Sequence, residues 1–233
     1  MNSEEIVTIC HVFDAIFGNV LLSEPRKVEN LENIYEIIDG NGKEEEQAIN
    51  RLKIQLKIDE EIEPVEFFEK LCELLPKFTT ERFRFQIITN LSCKNCCDKN
   101  CKTIFNHKTF HLMFSTELKT GKKIEDSIME DLEKRKKKIC FENVEALQKI
   151  KQSSHFLIYN SGKELISLDR SMIFDFGGEQ MVLRKCVFIE NDEIRIAEEE
   201  QLAEIKDKEI LFLAFSREHL LQFLLDEYMS RMD

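Results

Sequence analysis

Near Phe83 the spacing of apolar residues changes from that of helices to that of strands, and this one switch constrains the fold more than any motif does. Upstream of it, Ile6, Ile9, Cys10, Phe13 and Phe17 fall on one helical face. Ser3 is the expected cap, Glu4 and Glu5 suit the first turn, and Gly18-Asn19 forms the stop. A second helix is predicted over Val28–Ile38, ended by Gly40-Asn41-Gly42. A third runs from about Glu44 to Lys57, with Ala48, Ile49, Leu52 and Leu56 inward. A fourth opens at Pro64, buries Phe68, Leu71, Cys72 and Leu75, and is followed by Pro76. Downstream, Phe83–Leu91 and Phe110–Ser115 alternate as half-buried strands. A helix at Ile124–Lys134 interrupts them. Strands are then expected at Ile139–Phe141, Phe156–Tyr159, Met172–Phe174, Met181–Ile189, Ile194–Ile196 and Ile210–Phe215. The last run is almost wholly apolar, which predicts a central strand buried on both faces. A closing helix, Arg217–Met232, carries Leu220, Leu221, Leu224, Leu225 and Tyr228 on one face. Helices first and strands second, with too few Pro and Gly for a flexible linker, predict an α+β chain.

Four of the eight cysteines, Cys93, Cys96, Cys97 and Cys101, lie within Leu91–Lys102, between two predicted strands. Cys93-x-x-Cys96 has the spacing of a zinc knuckle, and further thiolates are available from Cys97, Cys101 or the distant Cys140. The bland alternative is a polar loop of reduced cysteines. No secretory signal and no apolar run of membrane-spanning length is visible. Cysteine-rich composition without a signal predicts a reducing compartment, cytoplasm or nucleus. The net charge of −12 argues against nucleic acid as a partner. The basic run Lys134–Lys138 sits beside Glu130, Asp131 and Glu133, which predicts a self-paired helix face.

No Gly-rich phosphate loop, HExxH or GxSxG motif is present. Cys10-His11 is the one Cys–His neighbour pair, but adjacent helical residues point about 100° apart and cannot form a nucleophile–base couple. His155 and His219 are the distant bases that Cys10 would need, and neither has a supporting environment in the sequence.

The order of features resembles that of the ubiquitin-specific proteases, the papain-like deubiquitinases. His11-Val12-Phe13-Asp14-Ala15-Ile16-Phe17 resembles the nucleophile helix, Cys-x-x-Asn-Ala and an apolar run, with His11 in the nucleophile position and Cys10 one residue short. Glu63-Pro64-Val65-Glu66-Phe67-Phe68 resembles the Asp-Ala-x-Glu-Phe-Leu helix. Phe83–Cys96 resembles the strand entering the first finger Cys-x-x-Cys. Cys140-Phe141-Glu142-Asn143, followed by Ala146 and Lys149, resembles the second finger pair and the strand after it, with Asn143 where the fourth cysteine belongs. Ile210–Phe215 and Arg217 resemble the closing strand. The resemblance covers about residues 5–217.

It implies a papain-like fold with a helical thumb (1–78), a β-rich finger and palm region (79–217) and an added C-terminal helix (218–233). It also implies zinc on Cys93, Cys96, Cys101 and Cys140, with Cys97 an alternative to Cys101. Where the family carries its base in a Gly-His-Tyr turn, Met181–Phe215 holds neither His nor Gly, and Asn191-Asp192-Glu193-Ile194 stands as the remnant of the strand bearing the third catalytic residue. The expectation is a pseudoenzyme: a degenerate nucleophile position at His11, no catalytic residue, and a scaffolding role toward a protein partner, ubiquitin or a larger assembly, away from membranes. The alternatives are an active deubiquitinase using Cys10 and an unrelated zinc-finger interaction protein.

Overall fold

A computed structural model describes residues 1–18, 29–40, 42–58, 61–93, 105–139, 144–151, 154–168, 173–176, 179–191 and 193–218. Two compact units divide the chain, Met1–Glu81 and Arg82–Asp233.

The first unit is helical. Helix α1 (Ser3–Phe17) is capped by Asn2, not Ser3: the Asn2 side chain accepts from the Glu5 N–H at 2.9 Å, and the Glu5 carboxylate accepts from the Asn2 N–H at 2.7 Å. This reciprocal pair satisfies two donors that a serine at the next position would leave free. Helix α2 (Glu32–Asp39) follows a single 3₁₀ turn at Glu29–Leu31. Helices α3 (Lys43–Gln55) and α4 (Pro64–Glu73) bury the expected stripes, and Pro64 occupies the first turn. Rings join α1 to α4: Phe13 and Phe17 lie 6.2 and 6.1 Å from Phe68. Arg51 of α3 donates to Asn33 at 3.0 Å and pairs with Glu36, which ties α3 to α2.

A short helix, α5 (Lys77–Phe83), was not expected, and Phe83 is its last residue rather than the first of a strand. Its alternation with Phe85 and Ile87 is accidental: all three are buried, but the backbone changes type between them.

The second unit holds two sheets. In the smaller, β1 (Phe85–Cys93) lies between β2 (Phe105–His111) and β4 (Val144–Lys151), antiparallel to both. In the larger, β3 (Phe114–Thr116), β5 (His155–Asn160), β10 (Lys208–Arg217), β8 (Glu179–Glu190) and β7 (Ile173–Phe176) are neighbours in that order. Strand β6 (Leu165–Ile166) adds to β10, and β9 (Glu193–Glu198) adds to β8. The predicted strand Phe110–Ser115 is therefore two strands in different sheets, broken at Leu112-Met113. Helix α6 (Ile124–Ile139) is longer than expected and ends on Ile139, which is not a strand residue. The basic run lies on α6, where Lys134 pairs with Asp131 at 2.9 Å and Lys136 with Glu133 at 3.4 Å, as the charge pattern predicts. Strand β10 is central and buried along 212–216.

One core unites the two sheets. Phe85 of β1 meets Phe156 of β5 edge-on at 5.1 Å and Phe114 of β3 at 6.0 Å, while Ile124, Ile128 and Leu132 of α6 close the same cluster. Asn160 locks the end of β5. It is 2% exposed; its Oδ1 accepts from Leu118 N–H (2.9 Å) and Gly162 N–H (3.0 Å), and its Nδ2 donates to the Ile210 carbonyl (2.9 Å). Gly162 is needed beside it, because a Cβ there would lie 2.9 Å from Glu117 Cγ and 3.2 Å from Asn160 Oδ1.

Candidate functional site

The nucleophile register falls on α1. Cys10 sits in the middle of that helix with no exposed surface, among Ile6, Ile9, Phe13 and Phe17, and burial pushes its thiol up to about 12. At neutral pH only about one such thiol in 10⁵ is ionised, and the thiolate is the nucleophile. A helix N-terminus lowers a thiol pKa only within its first turn, which Cys10 does not occupy. His11, the next residue, is exposed. Cys10 packs the core of its unit and His11 faces outward, so their chemistry does not converge.

In the second unit the segment expected to correspond to the base-bearing region runs from β8 into β9. Strand β8 pairs with β9 from Lys185↔Glu198 to Glu190↔Glu193, and Asn191 is a turn residue at their junction. Asn191 has φ 51°, a left-handed conformation that asparagine tolerates. Strand β9 then passes through a 3₁₀ turn, Glu199–Glu204, into β10. Cys186 on β8 is buried and its thiol is likewise pushed up to about 12.

His155 opens β5, opposite Ser216 of β10. Its Nδ1 lies 2.9 Å from Ser154 Oγ, and its ring lies on Phe83 at 4.9 Å. Burial, then the Arg82 and Arg184 charges, lower its pKa to about 4, so the imidazole is neutral at pH 7. His111 stacks on Phe85 at 5.5 Å; burial and Arg135 lower it as well. His219 and the predicted helix beyond it lie outside the described residues.

Of the four expected metal ligands, Cys93 ends β1, and Cys96, Cys101 and Cys140 lie outside the described residues. The register nonetheless limits where they attach. Cys93 is paired with Val144 and Leu91 with Phe105, so the chain leaving β1, the chain entering β2 and the chain entering β4 meet at one end of the smaller sheet. Cys140 stands four residues before β4 in the sequence and, like the tract from residue 94 to 104, lies outside the described residues. Among the described residues no group of three or more His, Cys, Asp or Glu side chains is disposed to hold a metal. Nor is any described helix long and apolar enough to cross a membrane.

The sequence did not disclose the Asn160 lock or the grip of Ser154 and His155 on α5; an Asn-x-Gly after an apolar strand was the available signal for the first.

No protein-family model matches the sequence, and no curated protein matches it. Solved structures do match. The chain is similar to the SAGA DUB module of Ubp8, Sgf11, Sus1 and Sgf73 bound to monoubiquitin, with a TM-score of 0.56 at 12% identity, covering 94% of this chain and 68% of that one. Against the Ubp8/Sgf11/Sus1/Sgf73 module the TM-score is 0.53 at 11% identity, covering 94% and 66%. A further structure of the module gives 0.50 at 11% identity, covering 93% and 64%. The chain thus spans about two thirds of the length of these neighbours. Identity this low concerns the fold alone: the chain has a mixed helix-and-sheet fold of the ubiquitin-specific protease kind.

Proposed function

We propose that this chain is a non-catalytic protein of ubiquitin-specific protease-like fold that works as a protein-binding module. The observation that carries this reading is Cys10: the thiol nearest the nucleophile register is wholly buried in mid-helix and un-ionised. Thiol attack needs a thiolate and a base within hydrogen-bond reach. The direct β8–β9 turn supports the same conclusion, because it leaves no loop there to carry a base. In this reading residues 1–78 correspond to the thumb, the smaller sheet to the fingers and the larger sheet to the palm. The partner is ubiquitin or a subunit of a larger assembly, since the similar structures are of a multi-subunit module, one of them bound to monoubiquitin.

Zinc, held by Cys93, Cys96, Cys101 and Cys140, belongs to this reading as a structural ion. Its role would be to fix the cysteine-bearing end of the smaller sheet. Zinc quantified in the purified protein should be one per chain and should fall in a Cys93→Ser variant; metal-free protein of unchanged stability would remove the ion from the account.

The test of the binding role is a titration of isotope-labelled ubiquitin followed by its amide spectrum. Shifts confined to one ubiquitin surface support a retained reading of ubiquitin. An unchanged spectrum at high concentration assigns the module to a different protein partner. Turnover of a ubiquitin conjugate would refute the non-catalytic reading.

A further inference from the structure

The two faces of the smaller sheet differ in kind. Register places Phe85, Ile87 and Ile150 on one face, where they join the core. On the other face Phe110 and Lys151 flank Gln86, and in the next row Lys108 and Lys149 flank Ile88. Lys108, Lys149 and Lys151 are exposed, and Phe110 is 47% exposed. Arg84, exposed and one residue before β1, holds its guanidinium carbon 4.3 Å from the centre of the Phe110 ring, on this same face. The chain carries a net charge of −12, and cations of the larger sheet meet carboxylates: Lys185 pairs with Glu198, Arg184 with Glu199, Lys208 with Glu190 and Arg217 with Glu179. Among the described residues no ion pair involves Arg84, Lys108, Lys149 or Lys151. The one acidic residue in the sequence of these three strands, Glu145, stands opposite Ser92, four residues along β4 from Lys149.

We propose that this face is a docking surface for an extended acidic segment of a partner protein, with carboxylates on alternate residues. Such a surface gives the protein-binding module its partner chemistry, and it rests on that reading. Lys108 and Lys149 lie one strand apart on either side of β1, about 10 Å at the backbone, and successive rows on one face follow at about 7 Å. An extended segment repeats its own side chains on one side at the same spacing of about 7 Å, so its alternate carboxylates meet successive rows. Ile88 and Phe110 add apolar contact between the cations, and Arg84, set in place by the ring, offers its planar fork to a carboxylate. The net negative charge of the chain repels a long polyanion, whereas a short acidic segment senses mainly the charges within about 8 Å at physiological salt. Base stacking has little platform here, because Arg84 covers one side of the Phe110 ring. Both features favour an acidic protein segment over single-stranded nucleic acid.

The test is fluorescence anisotropy of a labelled decapeptide of alternating Glu and Val, titrated with the full chain. The peptide should bind, and raising salt from about 0.05 to about 0.5 M should weaken it about tenfold or more. Lys108→Glu combined with Lys149→Glu should weaken binding about tenfold or more, and Lys108→Gln combined with Lys149→Gln should weaken it less, in the same direction. Lys163→Glu combined with Lys206→Glu changes the net charge equally at exposed positions outside the smaller sheet, and should alter binding by less than about twofold. No binding at low salt, an equal loss in the Lys163 and Lys206 pair, or tighter binding of a ten-residue oligothymidylate than of the peptide would each overturn the proposal, the last by assigning the face to nucleic acid. Failure of the peptide removes this surface alone, whereas turnover of a ubiquitin conjugate by the native chain removes the non-catalytic reading.

Discussion

Replacing Asn160 by alanine removes three hydrogen bonds at one point of the larger sheet. The acceptor Oδ1 serves the N–H groups of Leu118 and Gly162, and Nδ2 serves the carbonyl of Ile210. Leu118 and Ile210 are 3% and 0% exposed, so water does not readily replace the lost partner at either. An unsatisfied buried group costs about 1–3 kcal/mol, which gives about 3–4 kcal/mol for these two. Gly162 is partly exposed and adds little, because water reaches it. Domains are stable by about 5–15 kcal/mol, so the variant should fold but stand near its limit. Urea unfolding followed by far-ultraviolet circular dichroism suits the measurement, since the chain has no Trp to report by fluorescence. With a slope of about 2 kcal/mol per molar urea, the midpoint should drop by about 1.5–2 M. Ser161→Ala, one residue on and exposed, should move it by less than about 0.3 M. A loss below about 1 kcal/mol at unchanged slope would show that the Asn160 bonds do not hold β5, β10 and the 117–118 segment together.

Other outcomes follow from the same geometry. Cys10, Cys72 and Cys186 are buried free thiols, so iodoacetamide at pH 8 should spare them in the folded chain and label them after denaturation; rapid native labelling of Cys10 would contradict its burial. Cys10→Ser places a hydroxyl in an apolar helix face and should cost about 1–3 kcal/mol, seen as a lower urea midpoint. Gly162→Ala forces a Cβ against Asn160 Oδ1 and Glu117 Cγ and should cost about 1–2 kcal/mol, while a neutral result would mean that this loop relaxes freely. His155 has a folded pKa lowered from 6.5 to about 4, so the unfolded chain binds the extra proton between those values. Stability is therefore full above pH 6.5 and falls as pH drops to 4, by about 3 kcal/mol from this group. His155→Phe should remove that part of the slope, read from urea midpoints at a series of pH values.

Much of this fold is legible in the chain because burial follows spacing. The α1 stripe, Pro64 at the start of α4, and the apolar run of β10 sit where periodicity places them. The failures share a cause. Alternation cannot mark the point where one buried element hands over to another, so Phe83 looked like a strand residue and β2 and β3 looked continuous. Ser3 suits a cap by residue type, as Asn2 does, and only the reciprocal bond with Glu5 shows that Asn2 takes the place. At the candidate site, sequence order places Cys10 one residue short of the nucleophile register, but only the structure shows that this thiol is wholly buried. Of the expected zinc ligands only Cys93 lies among the described residues, at the end of β1 opposite Val144.

The central claim is that this fold is used without thiol chemistry, and ubiquitin bearing a thiol-reactive C-terminus tests it most directly. Intact-mass analysis after prolonged incubation at neutral pH should show the unmodified chain. A covalent adduct mapped to Cys10, and absent from Cys10→Ala, would contradict the account and restore a working protease.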